Sequence, residues 1–285
     1  MKLGPCVVML ATAAVLAMAA TSASGAPRTQ HDAGIPVLIY HEIATDGRQA
    51  GETVISLDRF EEQMRYLASE GYQTLSMDEL LAVMQRRRPM PRKAVVLTFD
   101  DGWKNVLNAV PILQRQRMKA SFWIITGAGI GYDNLEWSDI EQLASNPLFQ
   151  VESHTVSHPW DAHDNLVSWM TGKIAGKDAA SVRAELANSK ATLEARIGRP
   201  VDYLAWPVGW YTEEMVRLAR DVGYRAVLTA EDGANSPGDD VFHIKRVFVD
   251  GACDMASFRR LLREPTYRPC QTSGRSTHGH TPPRD

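Results

Sequence analysis

Short apolar runs, each followed by a helical pattern, recur along this chain and restrict its fold more than any other feature. Pro36–Tyr40, Ala94–Phe99, Ala120–Ile125, Phe149–Val151, Tyr203–Trp206, Ala226–Leu228 and His243–Val249 read as strands. Between them fall amphipathic stretches with recognisable ends. Ser56 opens a helix whose Phe60, Met64 and Leu67 share a face, and Gly71 closes it. Ser76 and Glu79 have capping-box spacing ahead of Leu80–Gln85, as Ser138 and Glu141 do further on. Helices are also expected over Val106–Arg117, Ala180–Ile197, from Thr212 to Gly223, and over Ala256–Leu262. Strands that are apolar throughout and separated by helices imply a parallel sheet covered on both faces. Seven or eight such units in about 230 residues favour an α/β fold, a closed or nearly closed (β/α) barrel, whose chemistry sits at the C-terminal ends of its strands.

The chain has 285 residues, 44% of them hydrophobic and 23% charged, which suits one sizeable domain with a real core. A formal net charge of -3 offers no basic excess for nucleic acid, and none is expected as a partner. Lys2, the apolar stretch Cys6–Ala20 and the small residues Thr21–Ala26 have the layout of a secretory signal peptide. Cleavage fits better after Ala23 than after Ala26, which Pro27 follows. The apolar run is short for a bilayer span, so no stable membrane span is expected once it is removed. An exported protein, periplasmic or extracellular and monomeric, is the expectation. The organisation is then residues 1–26 as signal peptide, 27–34 as linker, 35–264 as one domain and 265–285 as a disordered tail poor in apolar residues. Cys253 and Cys270 could form a disulfide in an oxidising compartment or remain two free thiols.

Two motifs fall where predicted strands end. Thr98-Phe99-Asp100-Asp101-Gly102 follows the most apolar strand, and His154-Thr155-Val156-Ser157-His158 follows another. Adjacent carboxylates on an extended backbone point opposite ways. They can still divide labour, one binding a metal while the other faces water. Histidines four apart meet on one side of a helical turn and can chelate one cation. Alone, the first motif reads as an Asp-Gly turn, and the second fits a surface turn as readily as a ligand pair. Together on one rim they give Asp101, His154 and His158 with positions left open, the layout of a hydrolytic metal site. Zinc suits such a set, and cobalt, nickel or iron could bind the same ligands.

These two motifs, with Pro159, resemble the first two signature motifs of the NodB-like polysaccharide deacetylases, carbohydrate esterase family 4, and the likeness runs from about Pro36 to Leu262. The resemblance implies an N-deacetylase of an acetylated polysaccharide, with Asp100 as general base and Asp101, His154 and His158 as metal ligands. The family's third motif, usually Arg-x-Pro-Tyr, is matched by Ala205-Trp206-Pro207-Val208-Gly209-Trp210-Tyr211. The arginine is absent, so this motif does not supply a partner for Asp100. The family's Leu-x-Leu-His motif, source of the general acid, has no match after Trp210, but Leu38-Ile39-Tyr40-His41 fits it at the other end of the chain. A barrel has no first strand in space, so moving one unit between chain ends preserves a site. This permuted order and the Trp-Pro-x-Gly form resemble the branch acting on poly-β-1,6-N-acetylglucosamine. His41 is thus the candidate acid. His243 is its rival but lies at the wrong end of its strand.

Trp103, Trp137, Trp160, Trp206, Trp210 and Tyr211 fall in or beside loops after predicted strands, and with Pro207 could line a sugar groove. Two or three of these rings are expected to touch the glycan. Asp161–Lys177 is a candidate mobile loop above it. Peptidoglycan, chitin oligomers and acetylxylan carry the same acetyl group, so the motifs do not separate these substrates. A barrel that binds sugar without turnover would have no use for Asp100. A glycosidase needs two carboxylates facing each other across a cleft rather than side by side.

Overall fold

A computed structural model describes residues 34–48, 50–127 and 133–270. The strands are β1 (Ile35–Tyr40), β2 (Glu42–Ala44), β3 (Val54–Ser56), β4 (Gln73–Thr74), β5 (Ala94–Phe99), β6 (Ala120–Ile124), β7 (Phe149–Ser153), β8 (Tyr203–Ala205), β9 (Ala226–Leu228), β10 (Ala234–Asn235) and β11 (Val247–Phe248). Every residue of β1, β5, β6, β8 and β9 is buried, as strands covered on both faces must be. The main sheet runs β10-β1-β5-β6-β7-β8-β9, with β4 beside β5 and β11 beside β1. From β1 to β9 all neighbours are parallel, so their C-terminal ends share one rim.

Alternation along the strands sorts the core into two layers. Leu38, Leu97, Phe122, Val151 and Leu204 pack outward under the helices Leu57–Ser69, Trp137–Ser145, Ala179–Ile197 and Glu213–Val222. Val37, Val96, Trp123, Tyr203 and Leu228 face inward, where Met77, Leu80, Leu81 and Met84 of the helix Met77–Met84 join them. Ser56, Ser76 and Thr212 cap their helices as expected, the second through a full capping box with Glu79. Gly223 ends its helix in the left-handed conformation.

The sheet curls but does not close fully, which corrects the closed form of the expected barrel. After β9, the described residues return to β1 through the short antiparallel pairing of β10 and the two pairs of β11, and β9 itself joins that segment by the single bridge Leu228–Ile244. The segment expected as one strand over His243–Val249 gives its intervening backbone donors elsewhere. Lys245 N–H bonds to the side-chain oxygen of Asn235, and Arg246 N–H to the Glu231 carbonyl. With those donors committed to a loop, no continuous ladder forms between β9 and β1.

Other expectations change locally. The helix expected over Val106–Arg117 begins as a 3-10 helix, Lys104–Ala109, and becomes α-helical at Val110–Arg115 with Pro111 in its first turn. The later capping box uses Glu136 and Asp139 rather than Ser138 and Glu141. The expected mobile stretch over Asp161–Lys177 contains a short capped helix, Leu166–Met170, whose Leu166 and Trp169 are buried. Lys177 sits 3.8 Å above the Trp169 ring and fastens the end of that stretch.

Cys253 and Cys270 form a disulfide. Cys270 N–H also donates to Asp250, and Tyr267 packs on Phe248, so residues 265–270 of the expected disordered tail are fastened to the core. The remainder of that tail, the expected signal peptide 1–26 and the linker 27–33 lie outside the described residues. Among the described residues, no helix is long and apolar enough to cross a membrane.

Candidate metal centre

The inward alternation of β5 and β7 continues one step past their ends. Val96 and Thr98 precede Asp100 in the inward column of β5, and Glu152 precedes His154 in that of β7. Asp100 and His154 are both buried at the rim. Asp101 escapes the opposite face because its backbone is not extended, with φ +71° at Asp101 and +73° at Gly102. Two left-handed residues in succession turn the chain back over the rim. Both neighbouring carboxylates therefore approach the same ring. His154 Nε2 lies 3.4 Å from Asp101 Oδ1 and 3.8 Å from Asp100 Oδ2.

His154 and His158 do not share the expected helical turn. They are brought together by a tight loop with Thr155 at φ +68° and His158 at φ +45°, and Thr155 Oγ1 accepts from the His158 N–H at 3.2 Å. The ring centroids end 4.6 Å apart, and His158 Nε2 stands 3.5 Å from Asp101 Oδ1. One ligand atom from each of Asp101, His154 and His158 falls within 4.8 Å of the others.

The protonation pattern suits a cation. His154 Nδ1 bonds to the Ala205 carbonyl at 2.9 Å, which requires the proton on Nδ1 and turns Nε2 toward Asp101. Burial, then the adjacent His154 ring, brings the His158 imidazole down to about 4, so it is neutral near pH 7. Burial pushes the Asp101 carboxyl up, but the His154 hydrogen bond and the surrounding imidazoles outweigh it and hold the group far below the usual range. One carboxylate oxygen and two imidazole nitrogens, all converging, fit a divalent ion with positions to spare.

Asp100 is held by a residue the sequence motifs do not contain. Arg246 is 1% exposed, donates from Nη1 to Asp100 Oδ1 at 2.8 Å, and donates from Nε to the Thr229 carbonyl at 2.8 Å. Burial pushes the Asp100 carboxyl up, yet the guanidinium and the His154 and His41 rings prevail and keep it below the ordinary carboxylate range. A signal for Arg246 did exist. A lone arginine inside a run that reads as a buried strand needs a buried anion.

His41 lies across from these groups, with Nε2 4.0 Å from Asp101 Oδ2. Its ring stacks on Phe248 at 5.8 Å between centroids and 4° between planes, and its buried Nδ1 has no hydrogen-bond partner among the described residues. His243 is not part of the constellation, since Asp240 and Glu213 take both of its nitrogens.

The aromatic residues divide. Trp206 and Pro207 are buried, and Trp206 stacks against Tyr211, so these two support the rim and offer no open face to sugar, contrary to expectation. Gly209, at φ +75°, packs so close that a Cβ would meet that of Ala230 at 2.4 Å, which is why this turn needs glycine. Trp103 donates its indole N–H to Asp101 Oδ2 at 3.2 Å, and Trp137 lies under Arg196. Trp210 and Tyr211 are half-buried, with the Tyr211 hydroxyl donating to Glu231. Trp160, two residues beyond His158, is 64% exposed.

A family model described as polysaccharide deacetylase matches residues 87–227. That span contains Asp100, Asp101, His154 and His158, while His41 and Arg246 fall outside it. The chain is 28% identical over 233 residues to YxkH of Bacillus subtilis, a protein that carries the polysaccharide deacetylase name, covering 81% of this chain and 77% of that one. It is 24% identical over 202 residues to the poly-β-1,6-N-acetyl-D-glucosamine N-deacetylase of Staphylococcus aureus, across 68% of this chain and 67% of that protein. Among solved structures it is similar to IcaB from Ammonifex degensii, with a TM-score of 0.67 and 26% identity over 81% of this chain and 96% of that one.

Replacing Arg246 by Met keeps an apolar stem but strands the Asp100 charge in the interior. The expected cost is about 3–5 kcal/mol, measured by urea unfolding at neutral pH. Much of it should return in the double variant Arg246→Met with Asp100→Asn. An unchanged midpoint for the single variant would contradict the pairing.

Proposed function

Given that this chain carries a polysaccharide deacetylase domain of the NodB-like type, we propose that it hydrolyses N-acetyl groups of an exported N-acetylglucosamine polymer, releasing acetate with the help of a divalent metal. The observation that carries this reading is the convergence of Asp101, His154 and His158 within 4.8 Å, with Asp100 beside them. Zinc is the ion favoured by one carboxylate and two imidazoles.

Held by those three residues, the ion would supply Lewis acidity, polarising the acetyl carbonyl and making water in the site acidic near neutral pH. Arg246 occupies Asp100 Oδ1, so Oδ2 is the oxygen left to take the proton from the attacking water. The same guanidinium keeps Asp100 ionised before the reaction begins. As water adds to the carbonyl carbon, the C–N bond breaks and the departing nitrogen must be protonated. His41, with Nε2 directed to Asp101, is the group placed to donate that proton. Phe248 stacked on its ring limits how far the imidazole can swing. The products are acetate and a free amine on the sugar.

The glycan is inferred from particular residues. Tyr40-His41 ahead of the Asp-Asp motif and the Trp206-Pro207-Val208-Gly209 turn resemble the poly-β-1,6-N-acetylglucosamine branch, and the likeness to the Staphylococcus aureus enzyme and to IcaB points the same way. Trp160, Trp210 and Tyr211 have exposed or half-exposed rings and are the candidates for packing on sugar. Export is inferred from the signal-peptide layout of residues 1–26.

Asp100→Asn should retain bound metal at the wild-type ratio while kcat falls by about 10²–10⁴-fold. His41→Ala should likewise keep its metal and lose rate by a similar factor. Metal analysis beside acetate release reads both, and a variant that turns over at the wild-type rate would lose its assigned role. For the glycan, acetate release is expected to be fastest from poly-β-1,6-N-acetylglucosamine. Peptidoglycan, chitin oligomers and acetylxylan should follow, and preference for one of these would reassign the substrate.

A further inference from the structure

The loop carrying both histidines depends on a residue that lies in none of the motifs. Two of its five residues, Thr155 and His158, hold left-handed backbones that β-branched and aromatic-type side chains seldom adopt. Such a loop keeps its shape only if its surroundings impose it. From one side, Thr126 N–H bonds to the Thr155 carbonyl and Gly127 N–H to the Val156 carbonyl. Gly127 approaches so closely that a Cβ there would stand 2.5 Å from the Val156 oxygen. From the other side comes Glu185, on the helix Ala179–Ile197. Its Oε2 accepts the backbone N–H groups of Val156 at 2.9 Å and Ser157 at 2.8 Å, and its Oε1 accepts the Ser157 hydroxyl at 2.8 Å. One turn later on the same helix, Ser189 hydrogen-bonds Ser153 at 2.8 Å, just before His154.

We propose that Glu185 is a positioning residue for the metal centre, a carboxylate clamp that fixes the spacing of His154 and His158 without touching the metal. This rests on reading Asp101, His154 and His158 as a metal centre. The clamp is suited to the task because two successive backbone donors and the Ser157 hydroxyl converge on one carboxylate, and hydrogen bonds to a carboxylate are among the stronger kind. It acts on the peptide units between the two histidines, so its loss would let the loop relax and move His158 relative to His154. A carboxylate on the helix surface is not needed for the helix itself, which is capped by Asp178 and ended by Gly198. No short motif points to Glu185, because it lies 27–31 residues beyond the two histidines and on a different element.

The test is chelator competition against cobalt-loaded enzyme, following the visible ligand-field band of the bound ion as chelator is added. Glu185→Ala should release cobalt at about 10–100-fold lower chelator concentration than the wild type, the usual effect of losing a group that orients metal ligands. Glu185→Gln retains one oxygen that can accept from the loop N–H groups, so it should fall between the two. Arg183→Ala, exposed on the same helix, serves as the control and should match the wild type. If Glu185→Ala holds cobalt as tightly as the wild type, or if Arg183→Ala weakens it equally, the clamp is refuted while the metal centre stands. If the wild type takes up no cobalt with a ligand-field band, the reading of the centre fails and the clamp falls with it.

Discussion

A carboxylate and a guanidinium share the interior of this protein, and the rim is arranged around that pair. Asp100 and Arg246 are separated by 146 positions in the chain, and both are buried. Neither charge could remain there alone, since an unpaired buried ion is pushed toward neutrality or unfolds its surroundings. Arg246 sits in the segment that leads from β9 back to β1, with Ile244 bridged to Leu228 and Val247 paired to Leu38. The same segment supplies Phe248, on which His41 stacks. The thin bridge across the opening of the sheet is thus also the support for the candidate base and the candidate acid.

The rest of the centre is assembled from strained turns. Asp101, Thr155, His158 and Val208 all have left-handed backbones, and all lie on loops at the C-terminal rim. Conformations of this kind cost about 1–3 kcal/mol each and persist where the surrounding structure imposes them. Here the imposition is visible. Gly102 completes the turn that swings Asp101 over the rim, and Gly209 lets the Trp206 turn close against Ala230. Backbone bonds from Thr126 and Gly127 pin the histidine loop. A parallel sheet with inward columns at fixed register provides the rigid frame that such turns need.

Much of this was legible in the chain itself, for a physical reason. Asp100 and His154 each follow a strand directly, with Asp101 and His158 in the turns just beyond, so local pattern places all four at one rim. His41 is a candidate through a displaced motif, since a curled sheet tolerates moving a strand between chain ends, and its Nε2 lies 4.0 Å from Asp101 Oδ2. Arg246 was missed because its partner is remote in sequence and no short motif joins them. Trp206 was misassigned because an aromatic after a strand can turn outward to sugar or inward to the core, and only the fold decides. The helical turn expected between the histidines failed similarly, since Thr155 and His158 are held left-handed by tertiary contacts that no local propensity expresses. The closed barrel failed for want of a ladder that Lys245 and Arg246 spend elsewhere.

Acetate release before and after stripping the metal tests most directly whether the rim constellation is a metal-dependent hydrolytic centre. Purified protein should release acetate from an N-acetylglucosamine polymer, lose that activity in excess chelator, and regain it when zinc or cobalt is restored. Activity that survives complete removal of the metal, or no acetate under any metal, would contradict the account.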